Sequence, residues 1–240
     1  MRTVLILTRR EVASYFVSPI AYVAMVLFLL VAGILFAAPY IGAFQPGNPA
    51  AMTQTFGIVS FILLLAVPIL TMRSLAEERR SGTLETLLTA PVTDTQVVLG
   101  KFLGCWAFYL VMVAPTLLYV VALKAFGNPD LGPVASGYLG LVLLGALYVA
   151  VGLFASSLTH NQVIAAVVAF VILLLLTLLG PIGGAVPTPW RTILRHLSTS
   201  AHYDDFGEGV VDLVHVIYFA VFTLYVLFLT VKVLESRRWR

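Results

Sequence analysis

Charged residues are scarce in this chain of 240 residues, which has 14 Lys or Arg and 11 Asp or Glu. None of them occurs from Phe16 to Met72, and none occurs between Leu131 and Trp190. Hydrophobic residues make up 60% of the sequence, and the mean hydropathy is +1.02. Soluble domains do not tolerate apolar runs of this length, so the composition predicts an integral membrane protein.

Cysteine and nucleotide-binding motifs are also lacking. Cys105 is the single cysteine and lies inside an apolar run, which excludes an intrachain disulfide and suggests no cysteine metal site. A P-loop reads G-x-x-x-x-G-K-[ST]; Gly100 and Lys101 are adjacent, but position 95 is Thr and position 102 is Phe. The chain therefore has no P-loop with which to split ATP, and we predict no cofactor bound to it directly.

The sequence also lacks the patterns of membrane enzymes and ion-driven carriers. It contains neither H-E-x-x-H nor G-x-S-x-G, and no apolar run carries an ionisable residue near its centre. Its basic residues flank the apolar runs and form no polar face with interleaved aromatics, which argues against a nucleic-acid partner. We therefore expect neither an enzyme nor a proton-driven transporter.

Six apolar segments are long enough for a helix that crosses a bilayer, which needs about 20 residues. They lie near residues 20–40, 54–72, 102–123, 137–158, 161–184 and 214–232. The runs lack the alternation of barrel strands, and lipid cannot satisfy an unpaired backbone, so helices are the expected spanning elements. The predicted fold is one all-α transmembrane domain over residues 1–240.

Three predicted helix starts carry capping signals. Ser18 precedes Pro19, a residue favoured at the first helical position. Thr93 with Gln96, and Thr159 with Gln162, have the spacing of a capping box, in which each side chain bonds the other residue's backbone N–H.

The distribution of Lys and Arg predicts the orientation in the cell membrane, either a bacterial inner membrane or a plasma membrane. Most of them lie before span one, between spans two and three, and after span six. The exceptions are Lys124, Arg191 and Arg195. Because basic residues in short flanking segments stay on the cytoplasmic side, we expect both termini in the cytoplasm.

Residues 2–16 predict a short amphipathic helix in the headgroup layer, with a frayed cytoplasmic tail as the alternative. The apolar residues would be buried in the lipid while the charged ones reach water. At the two ends of the chain, the predicted membrane-interface residues are Arg9, Arg10, Tyr15, Arg237, Arg238 and Trp239.

The segment between spans five and six, about residues 185–212, is long for a plain connector. If residues 202–215 were helical, Asp204, Glu208, Asp212 and His215 would share one face that could hold a cation. Gly207 and Gly209 weaken such a helix, so we predict no metal site and instead a polar external helix that leads into span six. Candidate contacts to an external or membrane-anchored accessory protein are Trp190, His202, Asp204, Asp205 and Glu208.

The most charged internal stretch, "EERRSGTLETLLTAPVTDTQ", lies between spans two and three. Gly82 can interrupt the helix that continues from span two, and Pro91 can end a second, shorter helix. The piece between them, about residues 83–90, is only two turns long with leucines on one side, so it is not stable alone. Packing against this protein's own spans or headgroups and packing in a groove of a cytoplasmic partner both fit these residues.

This stretch also fits the pattern E-x-x-x-G-T-x-E-x-L-L-x-x-P followed by G-K. The matching positions are Glu78, Gly82, Thr83, Glu85, Leu87, Leu88, Pro91, Gly100 and Lys101. It resembles the segment between spans two and three of ABC-2-type transporter permeases, and "SSLTHNQVIA", residues 156–165, is similar to that family's turn between spans four and five. "RREVASYFVSPIAYV" and "GVVDLVHVIYF" look like the gliding-motility-type permease subgroup.

The resemblance implies a half-transporter of six helices with an interfacial N-terminal helix. A second permease subunit, the same or different, would pair with it on a dimer of cytoplasmic ATPase subunits, which bind ATP and magnesium. Residues 77–93 would form the coupling helix received by the ATPase, and the chain would couple ATP hydrolysis to substrate movement, in the export direction. The implied ATPase-coupling residues are Glu78, Arg79, Gly82, Thr83, Glu85, Leu87, Leu88 and Pro91.

Two other function classes stay open on the sequence. One is an ABC-type membrane anchor that transmits a conformational change to an external partner without moving a solute. The other, an ATP-independent channel or carrier, is disfavoured by the coupling-type segment.

Overall fold

The computed structural model describes residues 2–37, 53–82, 92–126 and 130–238, and these ranges contain helices and no strand. The helices are α1 Arg2–Val17, α2 Pro19–Ala37, α3 Thr53–Thr71, α4 Arg73–Arg80, α5 Asp94–Val113, α6 Leu117–Phe126, α7 Leu131–Leu158, α8 Gln162–Ala185, α9 Trp190–Leu197, α10 Thr199–Gly207 and α11 Leu213–Arg238. A 3-10 turn at Ala114–Thr116 joins α5 to α6.

Six helical units are long and apolar enough to cross a membrane, which confirms the predicted six-span fold. They are α2, α3 with its continuation α4, α5 with α6, α7, α8 and α11. Span three begins at Asp94 and not near residue 102, and span four begins at Leu131 and not near 137. Residues 38–40, predicted as the end of span one, lie outside the described ranges.

Local capping chemistry explains where several helices begin. The capping box at Thr93 and Gln96 is present, with both hydrogen bonds at 3.3 Å, and α2 begins at Pro19 as predicted. The predicted box at Thr159 is wrong. Asn161 caps α8, and its Oδ1 accepts the N–H groups of residues 163 and 164, because its short amide side chain stands directly before the first turn.

Helix α7 occupies the centre of the bundle and packs against α3, α5, α8, α10 and α11. Glycines let the neighbouring helices approach it closely. A Cβ on Gly152 would lie 2.0 Å from Thr71 Oγ1, and one on Gly145 would lie 2.0 Å from the Tyr109 ring. Such small residues are the usual means of close helix packing in membranes, where lipid provides no hydrophobic drive between helices.

The predicted loop at 185–212 folds as two helices, α9 and α10, before α11 begins. Helix α10 is held against the spans, because Ser136 Oγ donates to Phe206 O at 2.8 Å and Thr53 Oγ1 donates to Gly207 O at 3.0 Å. It ends at Gly207, and Gly209 has a φ of +97° in the next turn of the chain.

Residues 202–215 do not form one continuous helix, so the four side chains at 204, 208, 212 and 215 do not share one helical face. Asp204 lies on α10, Asp212 lies in the connection and His215 lies on α11. The helix that leads into span six is also less polar than predicted, because Tyr203 and Phe206 of α10 are buried against the bundle. Within the described ranges, no group of three His, Cys, Asp or Glu residues is arranged to hold a metal ion.

Candidate functional site

Charged side chains gather where α1, α4, the start of α5 and the end of α7 meet, which we call the charged end of the bundle. Its charged members are Glu11, Arg73, Glu77, Glu78, Arg79 and Lys101. The end that carries α9, α10 and the start of α11 is called the opposite end. Residues 77–80 of α4 are the first of the predicted coupling segment 77–93, so the charged end includes the start of that segment.

Lys101 is the buried centre of the charged end, with a relative exposure of 5%. Its Nζ donates to Glu78 Oε1 at 2.8 Å, to Glu11 Oε2 at 3.3 Å and to the backbone oxygen of Ser74 at 2.8 Å. These contacts match the three N–H bonds of an ammonium group. A buried charge is tolerated only with such partners, so Lys101 binds α1, α4 and α5 together.

Two glycines on either side of Lys101 let α1 pack against α5. A Cβ on Gly100 would lie 2.6 Å from Leu7 Cβ, and a Cβ on Gly104 would lie 2.5 Å from Glu11 Cβ. The two glycines are one helical turn apart and form a groove. This close approach brings the Glu11 carboxylate within reach of Lys101.

The same packing corrects one predicted membrane-interface residue. Tyr15 is buried, stacks on Phe108 with ring centroids 5.1 Å apart, and has its pKa raised well above the usual value by burial. The N-terminal helix itself is present, and Arg9 and Arg10 are exposed on it, although its place in the headgroup layer stays a prediction. The described side chains do not include Arg237, Arg238 and Trp239.

Helix α4 is also tied to the first two helices. Arg73 Nε lies 2.7 Å from Glu77 Oε2, and Arg73 Nη1 donates to Ser18 Oγ at the start of α2 at 3.0 Å. Ser74 Oγ donates to Glu11 Oε1 at 3.1 Å. These polar contacts fix α4 laterally at the end of span two.

A second set of contacts joins α4 to the central helix α7. Ser156 Oγ accepts the N–H groups of Leu75 and Ala76 at 3.0 and 2.9 Å, and donates to Met72 O at 3.0 Å. Arg79 Nη1 donates to Ser157 O at 2.9 Å. Ser156 thus satisfies backbone groups at the break between α3 and α4, where regular helix bonding is interrupted.

The predicted ATPase-coupling residues fall into two groups. Glu78 and Arg79 have partners within this chain, and Gly82 ends α4 with a φ of +72°, which confirms the predicted interruption. The remaining predicted residues lie outside the described ranges: Thr83, Glu85, Leu87, Leu88 and Pro91. Their contact with an ATPase stays a prediction.

Sequence reasoning missed the residues that organise the charged end. The charge pattern indicates only a flanking cation at Lys101 before span three, whereas Lys101 lies within α5 and is buried. Its glycine neighbours were the available signal, because a lysine between two glycines spaced by four residues marks a close helix contact. Nothing local indicates that Glu11 and Ser156 meet α4, since 63 and 81 residues separate them from their partners Ser74 and Leu75.

The predicted contacts to an external partner differ in their exposure. Trp190 is 62% exposed, and Asp204 and Glu208 are exposed on or next to α10. Asp205 Oδ2 pairs with His215 Nε2 at 2.7 Å. The structure does not support His202 as a surface contact, because it is buried at 5% exposure between α10 and the start of α11.

Comparison with known proteins agrees with this architecture. Residues 42–204 match the family described as "ABC-2 family transporter protein". The probable multidrug ABC transporter permease YbhR of Escherichia coli is 30% identical over 155 residues, which are 64% of this chain and 42% of the relative. YbhS of the same organism, also named a probable multidrug ABC transporter permease, is 35% identical over 127 residues, 51% of this chain and 33% of the relative.

The inner membrane transport permease YhhJ of Escherichia coli is 29% identical over 147 residues, which are 60% of this chain and 38% of the relative. The chain therefore spans less than half the length of these relatives. These three relatives do not distinguish the gliding-motility-type subgroup, which stays a prediction. Because the family match covers more than half of the 240 residues, this protein belongs to the ABC-2 family of transporter proteins.

Proposed function

We propose that this chain is the membrane-spanning permease subunit of an ABC-type transporter. Residues 77–93 would contact a separate ATPase and couple its ATP hydrolysis to movement of the permease. The observation that supports this most strongly is the position of α4. Its last residues, 77–80, are the first of the coupling segment, and its side chains and backbone bond to α1, to the start of α2, to α5 and to α7. The 240 residues contain no P-loop, which fits an ATPase on another subunit.

The bonds of α4 suggest how a displacement would spread. A push on residues 83–91 would move α4, which is held to α5 through Glu78 and Lys101 and to the central helix α7 through Ser156. Lys101 and its carboxylate partners are largely buried. Separating these charges therefore costs more free energy than displacing the helices as one unit. The charged end would therefore shift as one unit against the remaining spans.

The proposed assembly contains a dimer of cytoplasmic ATPase subunits, which hold ATP and magnesium, and a second permease subunit, the same or different. Both termini and the charged end would face the cytoplasm, in agreement with the placement of Lys and Arg in the sequence. Export is the proposed direction, and because YbhR and YbhS are named probable multidrug ABC transporter permeases, drugs are the first substrates to examine. The gliding-motility-type subgroup is part of this proposal.

Replacement of both leucines of the coupling segment tests the proposal. Leu87→Asp with Leu88→Asp should abolish co-purification of the ATPase subunit that accompanies the wild-type chain, because charged side chains cannot occupy an apolar groove. Membrane insertion, measured by carbonate extraction, should not change.

The matched control is Val210→Asp with Val211→Asp. Both valines are 54% exposed at the opposite end of the bundle, far along the chain from the coupling segment. This control should retain the ATPase. Full recovery of the ATPase with the leucine variant would contradict the assignment of residues 77–93 as the coupling segment.

A further inference from the structure

A cavity of about 480 Å³ opens at the opposite end of the bundle, among α9, α10 and the first turn of α11. Its volume lies in the range of roughly 300–1,000 Å³ that is typical of ligand sites. Its charged and titratable lining residues are Arg191, Arg195, His196, His202, Asp205 and His215.

Three of these residues form a hydrogen-bonded chain that ends on a backbone oxygen. Asp205 Oδ2 lies 2.7 Å from His215 Nε2, His215 Nδ1 lies 2.6 Å from His202 Nδ1, and His202 Nε2 lies 3.1 Å from His196 O. These contacts use the ring nitrogens of both histidines, so the Asp205 carboxylate is engaged by His215 and not by the arginines of the cavity.

Asp205 is the carboxylate that lines the cavity, and its partner there is His215, whose Nε2 lies 2.7 Å from Asp205 Oδ2. Asp204 and Glu208 are not part of the lining.

Two arginines are left without a counter-charge. The side chains of Arg191 and Arg195 are exposed and form neither an ion pair nor a hydrogen bond with any described residue. They lie four residues apart on α9 and so point to the same side. Guanidinium forks match the oxygens of phosphate, and the hydroxyls of Thr188 and Thr192 line the same cavity.

The other side of α9 is apolar. Trp190, Ile193 and Leu197 are 62%, 48% and 40% exposed and have the i, i+3, i+7 spacing of one helix face. Helices with this pattern are typical of membrane surfaces, where the apolar face meets the acyl boundary and the basic face meets the headgroups. The cavity lies beside this exposed apolar face, which suits an amphiphile better than a free anion.

We propose that this cavity binds the phosphate headgroup of an anionic lipid-like amphiphile. Arg191 and Arg195 bind the phosphate oxygens, and the acyl chains lie along the apolar face of α9. The site is at the other end of the bundle from the charged end, and it does not depend on the proposed ATPase contact.

Native mass spectrometry of the full chain in detergent tests this proposal. Dioctanoylphosphatidylglycerol should bind to the wild-type chain, and Arg191→Gln with Arg195→Gln should weaken its binding by at least about tenfold, because both charge-assisted phosphate contacts are lost. The lipid affinity of Arg191→Lys with Arg195→Lys should lie between those of the wild type and the glutamine variant, since the positive charge is kept but the guanidinium fork is lost.

The control Arg80→Gln with Lys124→Gln removes the same charge from two exposed positions outside the cavity and should leave binding unchanged. Equal weakening by this control, equal binding of dioctanoylphosphatidylcholine, or no effect of the Arg191 and Arg195 changes would overturn the proposal. Inorganic phosphate should not compete at concentrations comparable to the lipid. Competition by phosphate at such concentrations would instead assign the cavity to a free anion.

Discussion

At the scale of residues, a single buried cation organises the charged end. Lys101 has 7% of its side chain exposed, and its partners Glu11 and Glu78 have 14% and 25% exposed. A buried ion pair adds little to the stability of the fold compared with an apolar pair of the same shape. Loss of one partner nevertheless lowers the stability strongly, because it leaves an uncompensated buried charge. Lys101 therefore fixes which helices meet more than it adds net stability.

Replacement of Lys101 by Met should lower the free energy of unfolding by about 3 kcal/mol, because Glu11 and Glu78 lose their buried counter-charge. The measurement is the shift of the thermal unfolding midpoint in detergent. Lys124→Met, at an exposed position on α6, is the matched control and should change the stability by less than about 0.5 kcal/mol.

The triple variant with Glu11→Gln and Glu78→Gln added to Lys101→Met should regain part of the lost stability. If it unfolds at the same temperature as Lys101→Met, lost packing and not the unpaired carboxylates is responsible.

At the scale of elements, α1 and α10 are short helices that take their positions from the spans. Helix α1 packs on α5 through Gly100 and Gly104, and α10 is bonded to α7 through Ser136. Helices this short are marginal in isolation, so their packing on longer helices decides whether they form. The positions of α1 and α10 therefore depend on how the spans beneath them pack.

Replacement of Gly104 by Leu should displace α1 from α5. Even a Cβ at this position would lie 2.5 Å from Glu11 Cβ and 3.2 Å from Thr8 O, and backbone cannot move aside easily. We expect a loss of about 1–3 kcal/mol. The displaced α1 should also be cut faster by trypsin at Arg9 and Arg10.

Gly57→Leu is the control for this change, because a Cβ at Gly57 meets no atom within 4 Å. It should leave the trypsin rate unaltered. An unaltered rate for Gly104→Leu as well would show that α1 does not need this groove.

At the scale of the whole molecule, the two ends of the bundle have different chemistry. The charged end holds buried, paired charges around α4, whereas the opposite end holds a basic cavity beside the apolar face of α9. Between them, α2 and α8 present apolar outer surfaces that face lipid or another subunit. Six spans place α1 and the end of α11 at the same end of the bundle.

This arrangement predicts labelling from one side of the cell membrane only. In a Cys105→Ala background, a membrane-impermeant maleimide added to intact cells should label Thr192→Cys at the opposite end but not Arg9→Cys at the charged end. Both positions are exposed, so access and not burial decides the result. Labelling of Arg9→Cys alone would reverse the predicted orientation, and labelling of both would contradict the six-span topology.

The sequence by itself determined the features that depend on local chemistry. The length of each apolar run determined the six spans, the Thr93 and Gln96 pair determined the start of α5, and Gly82 determined the end of α4. Each of these depends on neighbouring residues alone, because span length and helix capping are local properties.

Only the tertiary structure decided which charges meet and which short helices are buried. Lys101 and Glu11 are 90 residues apart, and Ser156 bonds to Leu75 across 81 residues. The burial of Tyr15 and the folding of α10 onto α7 likewise depend on which helix faces approach each other. Apolar periodicity in a membrane span does not identify that face, because lipid and neighbouring helices are equally apolar surroundings.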